Sequence, residues 1–453
     1  MVAAVCLAFF VSCAGKAESG GEIPEKYVLC GHGISEFSVV ISENAHVCEK
    51  YAAELLQDEI KELCGVTVKI ITDENEESPC EILLGNTKRA ESKSVPELSP
   101  DEYAVYFVGT KTVLAGNLHM VAGGIPAVLS ALQGTGEISS EAVKYKWQSA
   151  DAESVILLIG DGMGENHIKM AEASEVSVVA YDGEVRTPEE KGGIAFAAKA
   201  FPNCGRAATL NYYGEITDSA ASGTALATGY KTENGVLGMI PADLDGDGEA
   251  KELSSVQNVR EAACLKGMKT AVLSTDRQTG ATPNAFLVHH SDRYSYPVVL
   301  EQQTALSSTS VLPTYLMCSY DSDEFLWEMK KAIGECEGEN GFFIMAEEAM
   351  IDKYSSRLDY DNVIRTVKRL NDVVCISATY AVCHPETAVI VTADHETGGL
   401  TVGDPGEFYW TSHGEHTESH VGVYAMGGGT QTLCGDIDNT DIGKYIFSVI
   451  EGK

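Results

Sequence analysis

At 453 residues the chain is too long for one ordinary core and fits two domains plus an export segment. Its 44% apolar and 22% charged residues are those of a folded protein, with no long polar low-complexity tract. A formal net charge of −35 repels nucleic acid and anionic lipid, so nucleic-acid binding is not expected.

Residues 1–21 read as an export segment. Val2 to Ser12 is apolar and ends in small residues, followed by polar Ala17-Glu18-Ser19-Gly20-Gly21. The run is too short to span a bilayer and matches the apolar core of a signal peptide. Phe10-Val11-Ser12-Cys13 resembles a bacterial lipoprotein cleavage box, with Cys13 as the lipid-bearing N-terminus. An ordinary signal peptide is the alternative, and no Lys or Arg precedes the apolar run. Either way the expectation is export, to the cell surface as a lipoprotein or to the periplasm or medium. No later run is long enough to cross a membrane. The cysteines after Cys13 show no CxxC pair, which argues against a structural zinc module; most fit as small buried hydrophobes.

Residues 22–148 predict a small α/β domain. A strand over 37–41 is followed by a helix over 44–63, with Val47, Tyr51, Leu55, Leu56, Ile60 and Leu63 on one face, Asn44 as N-cap and Gly65 as stop. Strands follow at 66–71 and 81–84, then a hairpin of 103–108 and 112–115 turned at Gly109-Thr110-Lys111, then a helix over 120–132. The phrases "EKYAAELLQDEI" and "EILLGNT" resemble a small accessory module that precedes catalytic domains in some bacterial carbohydrate-active enzymes. No catalytic constellation is visible in it.

Residues 149–453 predict a second domain. The apolar runs 155–159, 271–273, 342–345 and 388–391 suit strands buried on both faces. Helical stretches at 220–227, 256–265, 324–333 and 360–374 alternate with them. That alternation predicts a mostly parallel sheet with helices on both faces, a three-layer α/β/α domain. Chemistry in such sheets sits beyond the carboxyl ends of the strands.

Four clusters fall at such places. Gly160-Asp161-Gly162-Met163-Gly164 follows the first strand; a carboxylate between glycines can reach a metal, or can simply close a turn. Asp218-Ser219-Ala220-Ala221-Ser222-Gly223 reads as a helix start that exposes the Ser219 hydroxyl to helix N–H groups, although a serine there also serves as a plain cap. Adjacent Asp394 and His395 after a buried strand can both ligate zinc, and Ser412-His413-Gly414-Glu415-His416 is a His-rich loop. Surface turns are the bland alternative for both. The acidic run Asp243-Leu244-Asp245-Gly246-Asp247-Gly248 mimics half of a calcium loop, but Ser254 holds its twelfth position, and a solvated turn is expected.

Together these clusters resemble the alkaline phosphatase family over about 155–430. DGMG, TDSAASGTALATG, ATP with an Arg downstream, FF-x3-E-x4-D, TADH and EHT stand in the family's order. The resemblance implies a metal-dependent phosphomonoesterase with Ser219 as nucleophile and Arg293 gripping the phosphate. It implies Asp161, Asp394 and His395 on one zinc that also binds the Ser219 oxygen, Asp352 and His416 on a second zinc, and Asp161, Thr282 and Glu347 on magnesium. Bound cations would also reconcile an acidic chain with phosphate. Family members are often dimers, so a homodimer is expected.

Two departures stand out. Ser356 occupies the position of a family histidine, leaving the second zinc one ligand short unless His413, His420 or water substitutes. Gly280 stands where some members carry Asp or His, so water is expected to take a larger part at the magnesium position. The rival readings are a degenerate phosphatase that binds phosphate or glycan without turnover, and a phosphodiesterase of the same superfamily. A sulfatase is disfavoured, because no Cys/Ser-x-Pro-x-Arg motif occurs.

Overall fold

The computed structural model describes residues 28–29, 31–179, 183–242, 252–309, 314–404 and 406–452. The expected export segment with Cys13 and the acidic turn at 243–248 lie outside the described residues. Ten described cysteines are free thiols, seven of them in regular elements and buried or half-buried as expected of small hydrophobes.

The first sheet has strands β1 (Ser38–Ile41), β2 (Lys69–Thr72), β3 (Glu81–Leu84), β4 (Glu102–Val108), β5 (Lys111–Gly116) and β6 (Val143–Lys146), in the order β2-β1-β3-β5-β4-β6. Helices α1 (Val47–Cys64) and α2 (Ile125–Gln133) accompany it. Three details differ from expectation. The N-cap of α1 is His46, not Asn44: His46 accepts from the Cys48 amide, while Glu49 reaches back to the His46 amide at 2.9 Å, a reciprocal cap that fixes the start. The hairpin turn is two residues, Gly109-Thr110, and Lys111 already pairs with Val108. The helix expected over 120–132 begins as a 3-10 segment, Leu118–Gly124, and becomes α-helical only at Ile125, next to Pro126, whose missing N–H is harmless in a first turn.

The second sheet holds eight strands. They are β7 (Ser154–Gly160), β8 (Asn203–Ala208), β9 (Lys269–Ser274), β10 (Thr314–Cys318), β11 (Phe342–Glu348), β12 (Thr387–Thr392), β13 (Val421–Met426) and β14 (Gly435–Asp438). Their order is β10-β9-β11-β7-β12-β13-β8-β14. All neighbours are parallel except where β13 runs against β12 and β8. Helices α8 (Phe325–Cys336) and α10 (Tyr360–Cys383) pack together on the sheet. Helices α4 (Ser219–Thr228), α5 (Val259–Leu265), α6 (Ala281–Ala285) and α11 (Asn439–Glu451) form another packed group. The three-layer α/β/α expectation therefore holds.

Strand β7 is central, and Val155, Ile156, Leu157, Leu158 and Ile159 are all fully buried. Each such side chain contributes about 1.5–3 kcal/mol relative to exposure. The register sets Ser274 beside Glu347, Glu347 beside Ile159 and Ile159 beside Thr392. The carboxyl ends of β9, β11, β7 and β12 therefore finish in one row. The first sheet's unit docks on α10: α1 packs on that helix, and Trp147 Nε1 donates to the Val382 carbonyl at 3.2 Å.

Candidate metal and nucleophile site

Every expected site residue sits at or near that row of strand ends. Asp161 follows β7, and a sharp turn carries the chain away through Gly162, whose φ is +72°. A Cβ there would lie 2.7 Å from Thr397 Oγ1 and 2.9 Å from the Asp352 Cβ, so glycine is required on both counts. Asp394 and His395 follow β12. The Gly162 and His395 amides donate to Asp394 Oδ1 at 3.1 and 2.9 Å, which aims the other oxygen inward.

Ser219 is the first residue of α4, and Asp218 caps the helix by accepting from the Ala221 amide at 2.9 Å. The whole helix is buried, which explains its small side chains: a Cβ on Gly223 would come within 3.3 Å of the Thr282 Cα on α6. This close packing holds the Ser219 hydroxyl 3.3 Å from His395 Nε2. The same nitrogen lies 3.2 Å from Asp394 Oδ2 and 3.5 Å from Asp161 Oδ1.

His395 faces these groups through one nitrogen because its other is engaged. Thr397 donates to Asp352 Oδ1 at 2.6 Å, so its oxygen is left to accept from His395 Nδ1 at 3.2 Å. The His416 ring stacks on that of His395 at 3.6 Å. His416 Nδ1 donates to the Thr217 carbonyl at 2.9 Å, which turns Nε2 toward Asp352 Oδ1 at 3.5 Å. In both rings a hydrogen bond at Nδ1 turns Nε2 toward the carboxylates, where it could meet a metal ion.

The ligand atoms of Asp161, Asp394 and His395 lie within 4.8 Å of one another, as do those of Asp352, His395 and His416. Asp161 Oδ1, Asp394 Oδ2 and Thr282 Oγ1 are buried with no hydrogen-bond partner. Buried orphan oxygens are costly unless a cation or ordered water meets them, so this donor set fits divalent metal. Burial, then the charges of Asp394, Asp352 and Glu347, holds the Asp161 carboxyl well above its usual range. Burial, then Asp276, pushes Glu347 up to about 8 against the pull of Ser274, Lys353 and Thr282. Burial opposes protonation of His416, but the hydrogen bond and charge of Asp352 outweigh it and raise His416 to about 9.

Ser356 stands exposed just beyond α9 (Met350–Ser355), with its backbone beneath Gly414, where a Cβ would meet its carbonyl at 2.4 Å. Neither suggested substitute joins the metal groups found among the described residues, and His420 lies 4.0 Å from Asp436. At the other departure the space is filled by protein. A Cβ on Gly280 would fall 2.6 Å from Asp276 Oδ2, so the Asp276 carboxylate sits where a side chain from 280 would begin. Lys353 Nζ holds it at 3.1 Å.

Arg293 is anchored by Asp218, the residue before Ser219, Nη1 to Oδ2 at 3.0 Å. The sequence assigns no role to Asp218, Asp276, Lys353 or Thr397. For three of them a signal existed: Asp218 and Lys353 directly flank singled-out residues, and Thr397 lies two beyond His395.

A three-layer α/β/α domain that gathers carboxylates, imidazoles and a helix-start serine at its strand ends presents a donor set suited to divalent metal beside a hydroxyl. Residues 152–323 match the family model described as alkaline phosphatase. Alkaline phosphatase 4 of Bacillus subtilis is 26% identical over 330 residues, 60% of this chain and 67% of that protein. Alkaline phosphatase 3 of the same organism is 22% identical over 458 residues, 72% of this chain and 95% of that one. The solved alkaline phosphatase from the Antarctic bacterium TAB5 shares the fold with a TM-score of 0.55 at 23% identity, over 67% of this chain and 99% of that one. Residues 152–323 thus carry an alkaline phosphatase domain, set in a fold that a solved alkaline phosphatase shares.

Proposed function

We propose that this chain is an exported phosphomonoesterase that acts through a phosphoserine at Ser219. The observation that carries the reading is the Ser219 hydroxyl at the N-terminus of α4, 3.3 Å from His395 Nε2, with Arg293 held by the preceding Asp218. Asp161, Asp394 and His395 would hold one zinc, Asp352 and His416 a second, and Asp161, Thr282 and Glu347 magnesium. When bound, such ions lower the pKa of a coordinated hydroxyl and offset charge on the entering and leaving oxygens of an in-line displacement.

Arg293 presents two parallel N–H donors to phosphate oxygens and orients the ester. The free amides at the start of α4 point at the same anion. The Ser219 oxygen attacks phosphorus, the P–O bond to the alcohol breaks, and phosphoserine remains. Water then attacks phosphorus, the Ser219–phosphorus bond breaks, and inorganic phosphate leaves. Residues 22–148 are read as an accessory domain, with Cys13 as the lipid attachment point and a homodimer as the assembly. Among the described residues no helix is long and apolar enough to cross a membrane.

The test is turnover of 4-nitrophenyl phosphate with added zinc and magnesium. Activity that vanishes in Ser219→Ala, with labelled phosphate trapped on Ser219 in the wild type, supports the reading. Tight phosphate binding without turnover refutes it in favour of the degenerate form. A preference for diesters refutes the monoester assignment.

A further inference from the structure

A cavity of about 270 Å³ adjoins the candidate site, with Asp276, Arg277, Arg293, Tyr320, Lys353 and Arg357 in its wall. The chain has 67 acidic residues against 32 basic ones, yet here four cations meet one carboxylate. Two of the four are engaged, Arg293 with Asp218 at 3.0 Å and Lys353 with Asp276 at 3.1 Å. Arg277 and Arg357 form no ion pair with a carboxylate among the described residues. Arg277 lies over the Tyr320 ring at 5.2 Å and Arg357 over the Tyr354 ring at 5.7 Å. Stacking engages the flat face of a guanidinium and leaves its edge N–H groups for an oxyanion.

The cavity shares a wall with the chemistry. Arg293 is the proposed phosphate grip, and Lys353 directly follows Asp352. An ester whose phosphoryl group meets Ser219 can therefore extend its alcohol part along Arg293 toward Arg277 and Arg357. Resting on the phosphatase reading, we propose that this cavity receives a second anionic group on the substrate. The preferred substrates are phosphate esters whose alcohol part carries a further phosphate or carboxylate. Oxyanions suit the two guanidinium forks, whereas a neutral alcohol leaves them facing water.

Fructose 6-phosphate and fructose 1,6-bisphosphate form a matched pair that differs only in the second phosphate. The bisphosphate is expected to have a kcat/KM about tenfold higher, the effect of one to two exposed charge-assisted contacts. The advantage should shrink with added salt. In the Arg277→Gln/Arg357→Gln double variant it should fall to near unity, while kcat/KM for 4-nitrophenyl phosphate and the thermal midpoint stay unchanged. Equal wild-type values for the two sugars, or a double variant that loses both substrates equally, would overturn the proposal. Absence of turnover with every ester would refute the phosphatase reading instead. Equilibrium binding of the same two sugars then decides the cavity: tighter binding of the bisphosphate, lost in the double variant, upholds it, and equal affinities overturn it.

Discussion

Removing one carboxylate from the metal cluster should stabilise the protein when metal is absent and weaken it when metal is present. The ligand atoms of Asp161, Asp394 and His395 lie within 4.8 Å of one another. Two like charges at that separation repel by roughly 3 kcal/mol at an effective dielectric of about 20. Burial and the neighbouring Asp394, Asp352 and Glu347 all disfavour the charged form of Asp161, and Lys353 offsets part of this. Asp161→Asn keeps the shape and removes the charge. In chelator at pH 8 the variant should be more stable by about 2 kcal/mol, allowing for relaxation. In a domain of this size that is a rise in Tm of about 3 °C. With zinc and magnesium the order should reverse, because a ligand at a thousandfold its Kd stabilises the wild type by about 4 kcal/mol and a depleted site gains less. Thermal denaturation followed by circular dichroism, with chelator and with metal, reads both arms. A variant less stable than wild type in chelator, or one that gains as much from metal, would refute the reasoning.

The other expectations concern the groups around that cluster. Glu347 is pushed from 4.5 up to about 8, so the metal-free fold keeps a proton that the unfolded chain has released. Its contribution is complete below about pH 4.5 and is lost as pH rises toward 8, so Glu347→Gln should flatten the fall in the chelated protein's denaturation midpoint over that window. Arg293→Lys should lower kcat/KM by roughly 10–100-fold, since a point charge does not replace a two-pronged donor; steady-state kinetics on an aryl phosphate show it. Asp218→Ala removes both the cap of α4 and the anchor of Arg293, so it should cost about 1 kcal/mol in urea denaturation and raise KM. Ser356→His should raise bound zinc per chain, measured by mass spectrometry of metal content, and unchanged occupancy would show that this position does not limit the site.

The buried strands, the glycine-flanked Asp161 and the helix beginning at Ser219 were all legible in the chain, because apolar runs, small residues and turn formers act over a few neighbours. The family's motif order also pointed to the residues proposed here as metal ligands. What the sequence could not reveal depends on residues far apart along it: Ser219 and His395 stand 176 positions apart, Asp394 and Gly162 232, Arg293 and Asp218 75. Asp276 filling the space at Gly280, Thr397 joining His395 to Asp352, and Arg277 with Arg357 facing one cavity are of the same kind. Such contacts follow from the register of parallel strands and the docking of helices on them, and neither periodicity nor local spacing carries that information.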